Sequence, residues 1–315
     1  PNSILPIGYE GLVEKLNNKE ITESEMKEEF RKMERMNTDW FSILFRNSVS
    51  HQHSLSVTGG SEKISNRTSI NISETLGEAI GNEMSNFSVS SNTTMKFLPT
   101  LQASFLVNGS LRNTEGFAYN VSPFDYAYNT SRVIPVYNED GTLFYHEKVG
   151  ASSNSIPLKN RYNYNILNER NNTGNENTTK KLSTSLDLNW TILPGLQYQG
   201  VFSYGLSSSN IKSWATEQSF YITSMRGYEF GSVLANQAEE KGSRLPWGGL
   251  LYTEESSVRD YTFRNSLVYD KTFKDVHRMT LQAGIEIASA KTTGTRNKNY
   301  GYLKYRGESF ASVPL

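Results

Sequence analysis

The spacing of apolar side chains changes partway along this chain. Before Asn37 it is helical. Thr22-Glu23-Ser24-Glu25 places a capping hydroxyl three residues ahead of a carboxylate, and Met26, Phe30, Met33 and Met36 follow in steps of three and four. One short amphipathic helix is predicted over residues 23–36. From His53 onward the period is two. Leu182, Leu186, Leu188, Trp190 and Ile192 alternate with Ser183, Ser185, Asp187, Asn189 and Thr191. The same rule holds over residues 101–111, 196–206, 261–269 and 279–287, and more weakly over 55–58, 64–72 and 87–97. Successive side chains of a strand point to opposite faces, so each segment meets an apolar phase on one side and a polar phase on the other. There are about eight such segments, most about ten residues or longer. A soluble strand is typically about 5–6 residues, whereas a tilted bilayer crossing takes about 9–11.

The connections alternate in length. Gly59-Gly60-Ser61-Glu62, Leu98-Pro99-Thr100, Leu193-Pro194-Gly195 and Lys274-Asp275-Val276-His277 read as tight turns. Residues 118–178 and 212–257 are long loops, with 78–83 a short exception. In an antiparallel meander the turns then share one end and the loops the other, as in outer-membrane barrels. Phe97, Trp190, Tyr198 and Phe273 lie close to the turns, where an interfacial aromatic girdle would sit, although aromatics favour any strand. The pattern predicts an all-β fold: an antiparallel transmembrane β-barrel segment with short periplasmic turns, long extracellular loops and one short N-terminal helix.

Composition agrees with a two-faced sheet. Of 315 residues only 36% are hydrophobic while 12% are aromatic, and mean hydropathy is −0.55. A soluble core would need a larger apolar fraction, and a disordered chain would carry fewer aromatics. The 32 Lys and Arg balance the 32 Asp and Glu, so charge supplies no drive toward nucleic acid. Cysteine is absent, which excludes disulfides, thiolate metal sites and cysteine nucleophiles. No apolar run is long enough for a membrane helix, and Pro1 to Glu10 lacks the pattern of a signal peptide.

Nothing in the chain reads as catalytic or as requiring a cofactor. His51-Gln52-His53 places two imidazoles on one strand face, but without further ligands it reads as the polar start of a strand. Glu23, Glu25, Glu28 and Glu29 form a solvated helix face, and Gly59-Gly60 is a hairpin turn rather than a phosphate cradle. Binding candidates lie in the long loops. Tyr126, Tyr128 and Asn129, with Arg132 nearby, occupy the first, and Trp214, Tyr221 and Trp247 the second. Aromatic faces beside amide and charged groups suit sugar rings. The competing reading is that these residues pack loop on loop or against a lid partner.

Asn37-Thr38-Asp39-Trp40, followed by His53-Ser54-Leu55-Ser56-Val57-Thr58-Gly59-Gly60-Ser61-Glu62-Lys63, resembles the barrel of the SusC/RagA family of TonB-linked outer-membrane transporters. Asn129-Thr130-Ser131-Arg132-Val133-Ile134-Pro135, Trp214-Ala215-Thr216-Glu217-Gln218-Ser219 and Ser243-Arg244-Leu245-Pro246-Trp247-Gly248-Gly249 resemble loops of that family. The resemblance implies a barrel of about 22 strands closed by a plug. It also implies a SusD-like lipoprotein partner, energy from TonB, and uptake of oligosaccharides or, less commonly, peptides across the outer membrane of a Gram-negative bacterium. On this reading residues 1–52 are an extracellular loop with the helix, residues 53–315 are barrel strands and loops in contact with lipid, and the plug and remaining strands lie outside this stretch. The alternative is a soluble, non-transporting β-sheet protein that binds carbohydrate or serves a structural role.

Overall fold

The structure, a computed structural model, describes residues 8–150, 161–274 and 276–313. Residues 1–7, most of the stretch read for a leader, lie outside the described residues, as do Asp275 of the last tight turn and the terminal Pro314-Leu315. Three helices come first: α1 (Tyr9–Asn17), α2 (Glu23–Met33) and α3 (Trp40–Leu44). Four strands follow, β1 (Val49–Gly60), β2 (Ile64–Leu76), β3 (Glu83–Leu98) and β4 (Leu101–Gly116). The first long loop carries α4 (Pro123–Asn129), β5 (His146–Val149), β6 (Arg161–Tyr164) and α5 (Ile166–Asn172), and leads into β7 (Thr173–Leu193) and β8 (Leu196–Ala215). The second carries α6 (Phe220–Arg226) and α7 (Ala238–Gly242), before β9 (Gly249–Phe273), β10 (His277–Leu303) and β11 (Ser309–Phe310).

Local chemistry accounts for the elements. The Thr22 hydroxyl accepts from the Glu25 amide at 3.3 Å, and the Glu25 carboxylate accepts from the Thr22 amide at 2.7 Å, closing the capping box that starts α2. The helix stops at Met33, three residues before the predicted end. Each of the eight alternating segments lies within a strand, and all four turns join neighbouring strands of an antiparallel meander. Gly195, at φ 88°, occupies the left-handed region where a side chain would be strained and so permits the β7–β8 turn.

The register aligns the apolar positions. Phe105 of β4 pairs with Leu186, Leu186 with Phe202, Phe202 with Phe263, and Phe263 with Ile287. One row of apolar side chains therefore crosses five strands, and every member is exposed. The opposite face is polar: Thr94 shares a hydrogen bond with Ser104, and Gln52 donates to Asn71 of the next strand, while on the apolar side toward β2 Asn66 donates to Ser91 and Thr93.

The predicted barrel segment is corrected on two counts. The main sheet runs β1-β2-β3-β4-β7-β8-β9-β10-β11, and among the described residues no ladder joins β1 to β10 or β11. Among the described residues it is an open, nine-stranded sheet with two edges, not a closed barrel. Period-two alternation reports how many faces a strand has and what each meets; it carries no information on whether the first and last strands pair. The strands also run longer than the alternating segments: β9 has 25 residues and β10 has 27. In addition, the fold is mixed, with seven helices rather than one among the described residues. Those in the long loops span five to seven residues, too few for a helical period to show in the sequence. None of the described helices is long and apolar enough to cross a membrane, which leaves strands unaddressed.

Burial concentrates in the loops. Trp40 and Leu44 of α3 join Val121, Tyr126, Ala127, Ile134, Tyr164, Ile166 and Leu167 in one core. Ala215, Ile222, Leu245 and Leu250 form a second. The helical cap thus has its own interior at the loop end of the sheet.

Candidate functional site

Helix α4 builds one wall of a cavity in the cap. Ser122 caps it by accepting from the Asp125 amide at 3.3 Å, and Pro123 supplies a first-turn residue with no amide hydrogen to satisfy. Ser122, Asp125, Tyr126 and Asn129 fall at helical spacing on one face and all line the cavity, with Asn120, Lys148 and Tyr164 opposite. Asn120 takes φ 63°, a left-handed conformation that asparagine tolerates better than most residues. The cavity measures about 340 Å³, within the size range of small-ligand sites.

A cluster of rings supports it. Tyr126 packs edge-on against Trp40 with centroids 4.9 Å apart, and Tyr164 packs edge-on against Phe220 at 5.3 Å. His146 Nδ1 lies 3.2 Å from the Glu147 carbonyl, which can only accept, so Nδ1 carries the proton. His146 Nε2 then accepts from the Tyr126 hydroxyl at 3.0 Å. Burial holds this imidazole below its ordinary range, consistent with the neutral form the hydrogen bonds require.

Lys148 projects from β5 over the Tyr164 ring, its Nζ 4.0 Å from the centroid and 5.4 Å from that of Phe220. Among the described residues no hydrogen bond or ion pair engages its ammonium, which the two rings flank. Burial lowers its affinity for the proton, opposed by the charge of Glu169. Glu169 is 2% exposed and accepts from the Phe220 amide at 2.8 Å and the Asn168 side chain at 3.0 Å. Its burial outweighs these stabilising contacts and pushes its carboxyl up to about 7. A second cavity of about 520 Å³ lies under α1, but there Arg161 is within 4.0 Å of Glu14 and 3.9 Å of Glu147, so its cation is already matched.

The seven residues singled out from the sequence do not converge. Tyr126 and Asn129 line the α4 cavity. Tyr128 points away, stacked on Phe124 and 72% exposed. Arg132 lies 3.9 Å from Asp39. Trp214 is buried, its ring beneath the Lys304 ammonium at 3.9 Å. Tyr221 packs at a tilt against Tyr119 with centroids 4.4 Å apart beside the second core, and Trp247 donates to the Ser312 carbonyl at 2.6 Å. Sequence reasoning missed Lys148, Tyr164 and Glu169. The four-residue alternation of Arg161-Tyr162-Asn163-Tyr164 was the one signal for Tyr164, and no local pattern marked the other two. At the strand start, His51 lies 3.4 Å from Glu74 and its ring meets that of His53.

No family model matches the chain. Over 124 residues, 39% of the chain, it is 28% identical to the TonB-dependent receptor P26 of Formosa agariphila. Its fold is similar to that of the RagAB peptide transporter, with a TM-score of 0.60 and 16% identity over 89% of the chain. The RagAB peptide importer in its open-open and closed-closed states matches with TM-scores of 0.59 and 0.57. The matched stretch spans 12% of the receptor and 29% of each RagAB chain. The likeness to the solved chains is one of fold, carried by an open sheet rather than the barrel fragment expected from the resemblance. The comparisons also correct the substrate expectation. The solved proteins of like fold are peptide importers, which runs against the oligosaccharide preference expected from the resemblance.

Proposed function

We propose that this chain forms part of an outer-membrane-associated protein for the uptake of peptides. The observation that carries the reading is the fold likeness to the RagAB peptide transporter over 89% of the chain. Strands make up about half of the residues, so a match of that extent includes the helical cap as well as the sheet. The cap is the natural place for ligand contact, because it holds a polar cavity built from loop residues. In this reading residues 1–52 and the long loops form the outward-facing side. TonB is the proposed energy source, supported by the receptor relative, and a SusD-like lipoprotein is the proposed surface partner, supported by the sequence resemblance.

Deletion of the gene tests the reading. The mutant is expected to lose growth on short peptides as sole nitrogen source and to regain it on complementation, while growth on free amino acids is unchanged. Undiminished growth on peptides contradicts the proposal.

A further inference from the structure

The ammonium of Lys148 poses an electrostatic problem. It is partly buried, flanked by the Tyr164 and Phe220 rings, and has no carboxylate within ion-pair distance among the described residues. Removing a cation from water is costly unless something replaces the lost hydration, and two ring faces replace only part of it. Glu169 influences Lys148 through its charge but directs its own oxygen to the Phe220 amide and the Asn168 side chain. The same cavity presents the amides of Asn120 and Asn129, suited to peptide groups, and the exposed carboxylate of Asp125. A site with one unmatched cation, one carboxylate and two amides complements a ligand that carries an anion, a cation and peptide bonds.

We propose that the α4 cavity is a peptide-binding site in which Lys148 receives a peptide carboxylate, Asn120 and Asn129 contact the backbone, and Asp125 faces the cationic part of the ligand. This rests on the peptide reading of the protein and adds to it the chemical group recognised. Tyr164 acts as a positioning residue, since its ring fixes the ammonium at 4.0 Å without itself offering a charge.

Calorimetric titration of the full-length protein tests this with three probes: tri-alanine, tri-alanine amide, and an end-blocked peptide with a single Glu beside its Gln counterpart. A preference of about tenfold or more for tri-alanine over its amide identifies the chain terminus as the source of the carboxylate. An equal preference for the Glu peptide over the Gln peptide identifies a side chain; either result supports the site. Lys148→Met is expected to abolish that preference and Lys148→Arg to retain it, with the thermal transition of both variants unchanged. Indifference to the carboxylate in both probe pairs overturns the proposal, and this comparison uses the unaltered protein, so it does not depend on any variant folding. Indifference combined with peptide uptake that depends on the gene removes this site alone, whereas peptide uptake that persists without the gene removes the transport reading.

Discussion

Single residues in the cap are set by burial more than by exposure to ligand. Glu169 illustrates this. Its carboxyl rises from 4.5 to about 7, so the folded state holds the proton more tightly than the unfolded chain does. The stabilisation is therefore full below pH 4.5 and is lost as pH rises through about 7. The shift corresponds to roughly 3 kcal/mol at most. Glu169→Gln keeps an oxygen for the Phe220 amide and removes the ionisation. The variant is expected to melt higher than the parent at pH 8, with the difference vanishing at pH 4; a difference independent of pH would contradict the assignment. Gly174 is a second case. A side chain there would place Cβ 2.2 Å from the Trp214 ring, so only glycine lets that tryptophan lie flat across β7. Gly174→Val is expected to cost about 1–3 kcal/mol and to shift Trp214 fluorescence toward that of an exposed indole. An unchanged spectrum would show that the ring is held elsewhere.

At the scale of elements, each strand and helix follows local rules that vary in how clearly they appear in sequence. Thr22→Ala should weaken α2 by about 1 kcal/mol, seen as faster amide exchange confined to that helix; exchange spread through the cap would contradict a purely local role. The capping box and the methionine spacing made this helix legible, and period two made the eight long strands legible, because both signals are carried by neighbours in the chain. The loop helices were not, since α4, α5 and α6 each complete fewer than two full repeats of a helical period. They are set instead by Ser122, Asn165 and Ser219, each capping the first turn with its own side chain. The site was half legible for the same reason. Tyr126 and Tyr128 are two apart, which reads as one face of a strand but lies on opposing sides of a helix. Lys148 depends on Tyr164 and Phe220, brought to it by the cap fold from distant positions, so no local pattern marked it.

The whole molecule divides its labour. Among the described residues the sheet buries little of its own surface, presents a continuous exposed apolar row from Phe105 to Ile287, and ends in two edge strands, each paired on one side only. The cap supplies the packed interior and a polar cavity lined by loop residues. Free edges and a wide apolar face favour association, so the isolated chain is expected to self-associate in plain buffer by light scattering. A monodisperse solution would contradict the exposure of that face.

The central claim is that this protein handles peptides and not glycans. The most direct measurement follows an isotope-labelled short peptide and a differently labelled oligosaccharide entering the same cells, with and without the gene. The account expects peptide entry to fall and oligosaccharide entry to stay at the parental rate. The reverse pattern would contradict it.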